Sequence, residues 1–190
     1  MPDERLRLFV AVDVPTEQLE RLAATVAPRR SLLEAARWTK PENQHVTLKF
    51  LGGVDAPRLD EVSAALEPVG RSHGAASLSL AGLGAFPSER RARVLWVGLD
   101  DPAGLLSSLA AATDEALAPL GFEPESRAFS PHLTLARLKR PASVSALVTE
   151  PFDAGTAPFV VNHLALYRSY LHPQGARYEV LRTYPLGQEG

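Results

Sequence analysis

Apolar runs in this chain are short, and most of them alternate with polar positions or recur at helical spacing. Leu6 to Asp13 is an almost continuous apolar stretch stopped by Pro15, the pattern of a buried strand. Thr16 then suits a helix N-cap, and Leu19, Leu22, Ala23 and Val26 recur at helical spacing until Pro28. A short strand is expected at Arg37 to Thr39 and a turn at Pro41-Glu42-Asn43. A longer strand follows from Gln44 to Leu51, ended by Gly52-Gly53. Pro57 to Val69 reads as a second helix, with Leu59, Val62, Leu66 and Val69 on one face.

Ser77 to Leu83 and Val94 to Leu99 alternate like strands, joined by a loop that carries Pro87, Arg90, Arg91 and Arg93. Asp101-Pro102 opens a third helix that runs to about Leu117, and Pro131 to Leu138 is again a strand. Pro141 to Val148 is expected to form a short helix, followed by loop around Pro151, Gly155 and Pro158. Phe159 to Tyr170 and Arg177 to Pro185 close the chain as two strands joined through His172-Pro173-Gln174-Gly175. Trp38 and Trp96 read as core residues, His73 as exposed, and Tyr167, Ser169 and Tyr170 as sheet surface or groove lining.

Within this pattern one motif occurs twice. His45-Val46-Thr47-Leu48 and His132-Leu133-Thr134-Leu135 share a His-x-Thr-x core inside alternating aliphatic runs. In a strand, residues two apart share a face, so each imidazole and hydroxyl stand roughly 6.5 to 7 Å apart on one side. The two histidines lie 87 positions apart, close to half of the 190 residues, and each motif is preceded by a strand and a helix. That order suggests an internal duplication. It implies an α+β fold of two pseudo-symmetric lobes, each a largely antiparallel sheet with outer helices, around a central groove.

Composition narrows the chemistry. With 45 per cent hydrophobic and 22 per cent charged residues, the chain fits one domain, residues 1–190, made of two intertwined lobes. A net charge of −2 argues against a protein that coats long nucleic acid, yet leaves a single terminal phosphate as a ligand. There is no cysteine, which excludes disulfides, thiolate zinc sites and cysteine nucleophiles. The apolar run Leu8 to Val12 is too short, and its flank too acidic, for a signal peptide. A cytoplasmic monomer without a membrane segment or an obligate protein partner is therefore expected.

One His-x-Thr would be read as a structural histidine, but two in matching contexts point to paired proton transfer. One imidazole can accept a proton from a nucleophile while the other donates to a leaving group. The threonine hydroxyls can hold the non-bridging oxygens of a phosphate. This chemistry suits a phosphodiester and needs neither a metal nor a covalent intermediate. Gly52-Gly53 lacks the Lys-Ser/Thr of a P-loop, so no nucleotide cofactor is expected. His163 and His172 have no carboxylate at ligand spacing, so no metal site is expected from them. The residues alone leave open which histidine is the acid.

Five residues beyond each histidine stand Phe50 and Arg137, the two kinds of group that stack well on a nucleobase. Strict strand parity puts position five on the wrong face, and only a bulge or twist would re-aim it. Phe50 as an ordinary core residue is the competing reading. Arg90, Arg91 and Arg93 could guide an anionic end toward the groove, or simply form a solvated surface.

Leu6 to Pro15, Arg37 to Gly52, Ala85 to Leu99, Phe129 to Leu138 and Leu166 to Leu181 resemble the bacterial and archaeal RNA 2′,3′-cyclic phosphodiesterases. These are also called 2′-5′ RNA ligases, within the 2H phosphoesterase superfamily. The resemblance spans nearly the whole chain and both motifs are complete. It implies a bilobed fold and hydrolysis of a terminal 2′,3′-cyclic phosphate to a 2′-phosphate, with reversible 2′-5′ joining as a second activity. On this resemblance His45 is the general acid toward the leaving 3′-oxygen and His132 the general base toward water. Thr47 and Thr134 hold the phosphate. The partners it implies are RNA ends or small nucleotides bearing the cyclic phosphate. The alternatives are another cyclic phosphate or a 2′-5′ linked oligonucleotide at the same site, or a non-catalytic module that binds RNA ends.

Overall fold

The computed structural model describes residues 4–173 and 175–187. Its strands are β1 (Arg5–Val12), β2 (Ala36–Trp38), β3 (Val46–Asp55), β4 (Ala76–Phe86), β5 (Ala92–Asp100), β6 (His132–Ala142), β7 (Phe159–Val161), β8 (His163–Tyr170) and β9 (Arg177–Pro185). The helices are α1 (Thr16–Val26), α2 (Leu59–Arg71), α3 (Leu105–Leu117) and α4 (Ser145–Thr149).

The strands form two antiparallel sheets, in the orders β3-β1-β8-β9 and β2-β6-β5-β4-β7. Each sheet carries one His-x-Thr motif, and the chain crosses between them more than once. The second sheet takes its edge strand β2 from the first quarter of the chain, while the first sheet is completed by the two C-terminal strands. α2 and α3 pack on each other and on the first sheet, with Val62, Leu66, Leu106 and Leu109 inaccessible to solvent. α1 buries Leu19, Leu22 and Val26, and its Thr25 hydroxyl donates to Ala154 O at 3.3 Å.

The element types agree with the sequence reading, and several boundaries do not. Gly52-Gly53 does not end the first motif strand. Gly52 adopts a left-handed φ of +70° that lets β3 absorb an extra residue and keep pairing with β1 as far as Asp55. Phe159 to Tyr170 is two strands: β7 pairs with β4 in the second sheet, and after Asn162 the chain joins β1 in the first. Pro141 is the end of β6 and not the start of a helix. β2 pairs only as far as Leu138, so that side of β6 is open and the missing N–H of Pro141 is tolerated. Thr16 is the first residue of α1 and makes no capping hydrogen bond, whereas the carboxylate of Asp101 caps α3 at the N–H groups of Leu105 and Leu106. Arg90 and Arg91 lie in a 3-10 turn and Arg93 within β5, so the expected arginine loop is short.

Candidate active site

The two motif strands carry matching irregularities. In β3 the register steps from Val10↔Lys49 to Ala11↔Thr47, leaving Leu48 as the extra residue. In β6 it steps from Leu95↔Ala136 to Trp96↔Thr134, leaving Leu135 extra. A bulge of one residue reverses the side-chain alternation beyond it. Lys49 and Ala136 accordingly turn inward and are buried, while Phe50 and Arg137 turn to the face that carries the histidine and threonine. The six candidates His45, Thr47, Phe50, His132, Thr134 and Arg137 thus line one groove of about 940 Å³. Phe50 is 66 % exposed, which removes the reading of it as a core residue.

His45 sits one residue before β3, in an aromatic setting. Its ring stacks on Phe9 at 4.7 Å between centroids, lies 5.6 Å from Tyr167, and meets Tyr178 edge-on at 5.0 Å. Phe9 stacks in turn on Tyr167 at 5.0 Å. These rings form a small apolar cluster on the groove side of the first sheet, separate from the main core. Burial there lowers the pKa of His45 to about 4, with Asp13 opposing and the positive charge of Arg137 adding to the shift.

Behind this cluster Asp13 accepts hydrogen bonds from Tyr167 Oη and from His163 Nε2, the latter at 3.1 Å. His163 Nδ1 meets Asn162 Oδ1 at 2.8 Å, so both ring nitrogens can donate. The Asp13 bond raises the pKa of His163 despite burial. For Asp13, burial works upward, but the bonds from His163 and Tyr167 outweigh it and hold the carboxylate below its usual range. Burial and the bond to Asp13 raise Tyr167.

His132 begins β6. Its Nδ1 donates to Ser130 O at 2.7 Å, which leaves the lone pair on Nε2. Phe86 meets the ring edge-on at 5.0 Å and Trp96 lies 6.1 Å away. Burial lowers its pKa, the Ser130 bond opposes this, and Arg137 adds to the lowering. Trp96 lies across Gly84, so a Cβ at that glycine would come within 2.1 Å of the indole.

Sequence reasoning missed Phe9, Asp13, Tyr178, Phe86 and the buried Lys49. Lys49 Nζ donates to Asp114 Oδ1 and to Glu123 O at 2.7 Å, while Asp114 Oδ2 accepts the N–H of Glu125 at 3.1 Å. The ammonium thereby ties the first motif strand to α3 and to the segment leading to His132. A lysine inside an otherwise apolar strand was the signal available for it. Of the weighed tyrosines Tyr167 contacts His45, and Tyr170 instead donates to Glu179 at 2.6 Å. His73 is held between Val69 O and the Ser108 hydroxyl, so it is not simply an exposed loop residue. Among the described residues no three His, Asp or Glu side chains gather as a metal site, and no helix is long and apolar enough to cross a membrane.

Two pseudo-symmetric His-x-Thr strands opening on one groove define the two-histidine class of phosphoesterases. The sequence pattern of the family described as LigT like Phosphoesterase matches residues 10–96 and again 97–178, one match for each motif. A relative from Aeropyrum pernix named RNA 2′,3′-cyclic phosphodiesterase is 37% identical over 78% of this chain and 85% of its own length. Another of that name, from Methanothermobacter thermautotrophicus, is 30% identical over 96% of this chain and 100% of its own. The crystal structure of E. coli LigT superposes with a TM-score of 0.79 and 31% identity, covering 97% of this chain and 99% of LigT. LigT has also been solved in complex with 3′-AMP. This chain belongs to the LigT-like phosphoesterases of the 2H superfamily.

Proposed function

We propose that the chain hydrolyses the terminal 2′,3′-cyclic phosphate of RNA to a 2′-phosphate by acid–base catalysis between His45 and His132, without a metal. The observation that carries this is the single groove lined by two histidines, two threonines and Arg137, the last turned to the histidine face by its bulge. Nε2 of His132 takes a proton from water as the oxygen attacks phosphorus, and the bond to the 3′-oxygen breaks. His45 gives that leaving oxygen its proton. Thr47 and Thr134 donate to the non-bridging oxygens, and Arg137 offsets the charge gathering there. Phe50 stacks on the terminal base, with the Arg137 guanidinium available to its other face.

A 5′-hydroxyl in place of water gives 2′-5′ joining by the same steps, and cleavage of that bond reverses the roles of the histidines. We take residues 1–190 as one domain of two intertwined lobes acting as a cytoplasmic monomer on RNA ends. The supply of strands to each sheet from both halves of the chain supports the single domain.

His45→Ala and His132→Ala should each lower hydrolysis of a nucleoside 2′,3′-cyclic phosphate by orders of magnitude, and a chelator should leave the wild type active. Near-normal turnover in either variant sinks the two-histidine mechanism. Measurable binding without turnover in the wild type would favour the binding module.

A further inference from the structure

β2 is the edge strand beside the second motif strand, and Arg37 lies directly across from Arg137 in their register. Cross-strand partners share a face. Here it is the face that opens on the groove, because Arg137 and Thr39, two residues after Arg37, line the groove, while Arg37 itself stands outside that lining. Like charges placed directly opposite each other destabilise a sheet unless something compensates them. Among the described residues neither arginine has a carboxylate within ion-pair distance, and nor has Arg93, which lines the same groove from β5. The acidic groups on the groove wall are Glu123 and Glu125, and Glu125 Oε1 accepts the N–H of Arg127 at 3.4 Å.

The Arg37 guanidinium is also held in place. Nη2 donates to Pro173 O at 3.4 Å, and a Cβ on Gly175 would lie 3.1 Å from the same nitrogen. The side chain therefore spans from the edge of the second sheet to the β8–β9 connection of the first. Most of its five N–H donors remain for a ligand. A planar, positioned guanidinium with spare donors beside a second one matches the oxygens of a phosphate.

We propose that Arg37 holds a second phosphate, the phosphodiester that joins the terminal nucleotide to its neighbour, one step along the RNA from the group that Arg137 serves. The preferred substrate is then an oligonucleotide and not a mononucleotide. This rests on the cyclic phosphodiesterase reading and extends it along the RNA chain.

The test compares kcat/KM for a nucleoside 2′,3′-cyclic phosphate with that for a trinucleotide ending in the same group, in the wild type and in Arg37→Gln. A charge-assisted contact predicts a wild-type preference for the trinucleotide of about tenfold or more. In R37Q that ratio should fall toward one, mainly through KM, and R37K should restore part of it. An unchanged ratio overturns the proposal, including the case where both substrates slow equally because the Pro173 contact is merely structural. Fluorescence anisotropy with the 2′-phosphorylated trinucleotide reads the same contact without turnover, and its salt slope should fall by about one in R37Q. Wild-type protein that hydrolyses neither substrate rejects the phosphodiesterase reading. The anisotropy then still decides Arg37, and equal affinity in wild type and R37Q overturns it.

Discussion

Lys49 is the most informative residue to change outside the motifs. Its side chain is 6 % exposed, that of its partner Asp114 is 21 % exposed, and together they hold the backbone of Glu123 and Glu125. Lys49→Met keeps the length of the stem and removes only the ammonium. Asp114 then retains the Glu125 N–H and some access to water, so the loss should sit near the lower end for a broken buried pair, about 3 kcal/mol. Asp114→Leu leaves the buried Lys49 ammonium with one carbonyl, and should cost about 5 kcal/mol. For a chain of this length 1 kcal/mol moves Tm by about 2–4 °C, so the expected drops are about 6–12 °C and about 10–20 °C. The double variant K49M/D114L should recover much of both, because an apolar pair of similar volume removes the stranded charge. Thermal and urea unfolding of the four proteins closes the double-mutant cycle. Single variants that each stay within about 0.5 kcal/mol of wild type would refute the reasoning.

The pH profile and three substitutions probe the groove. Because burial holds His45 to about 4 and lowers His132, kcat/KM for cyclic phosphate hydrolysis should peak below pH 6.5 and fall as pH rises through neutrality, whereas a flat profile from about pH 5 to 9 would contradict it. The depressed His45 also contributes stability that is present above pH 6.5 and lost toward pH 4, up to about 3 kcal/mol, and His45→Gln should remove that part of the pH dependence of urea unfolding. Phe50→Ala should leave Tm unchanged, since the ring is 66 % exposed. It should raise KM about 5- to 150-fold for a nucleoside substrate while sparing an abasic ribose cyclic phosphate, and equal losses on both would reject stacking. Gly84→Ala forces the Trp96 indole away from Phe86 and His132, and should cost about 1–3 kcal/mol in thermal unfolding; an unaltered Tm would show that the ring yields freely.

The motif, its duplication and the two-lobed plan were legible because they depend on spacing, and spacing is what a sequence records. The bulges at Leu48 and Leu135 were not, since a single extra residue in a strand leaves no compositional mark. They decide whether Phe50 and Arg137 see the substrate at all, which is why strand parity alone argued against both. Phe9 lies in a run so uniformly apolar that its groove-facing position cannot be told from its core-facing neighbours. Asp13 and His163 lie 150 positions apart, and only the pairing of β1 with β8 brings them together. The break at Asn162 was invisible for a similar reason: a strand that changes sheets keeps the alternation of one that does not.

The surroundings of the two histidines differ in a way that bears on their roles. His132 is held by a hydrogen bond from Nδ1 to Ser130 O, which fixes the tautomer with a lone pair on Nε2, the form a base needs. His45 is positioned by ring contacts and lies near the Asp13 carboxylate, a charge that favours its protonated form. Burial defeats Asp13 at neutral pH. A phosphodiester anion brought against the ring adds a second negative charge on the same side of the balance, so His45 should take up its proton as the substrate binds. The acid would then be charged in the presence of the leaving group it serves, which agrees with the roles proposed for the pair. Proton release or uptake measured by calorimetry in buffers of different ionisation enthalpy separates the cases. Uptake approaching one proton per 2′-phosphate product analogue bound, abolished in His45→Gln and retained in His132→Gln, is the expected result. Uptake that instead follows His132 would reverse the assignment.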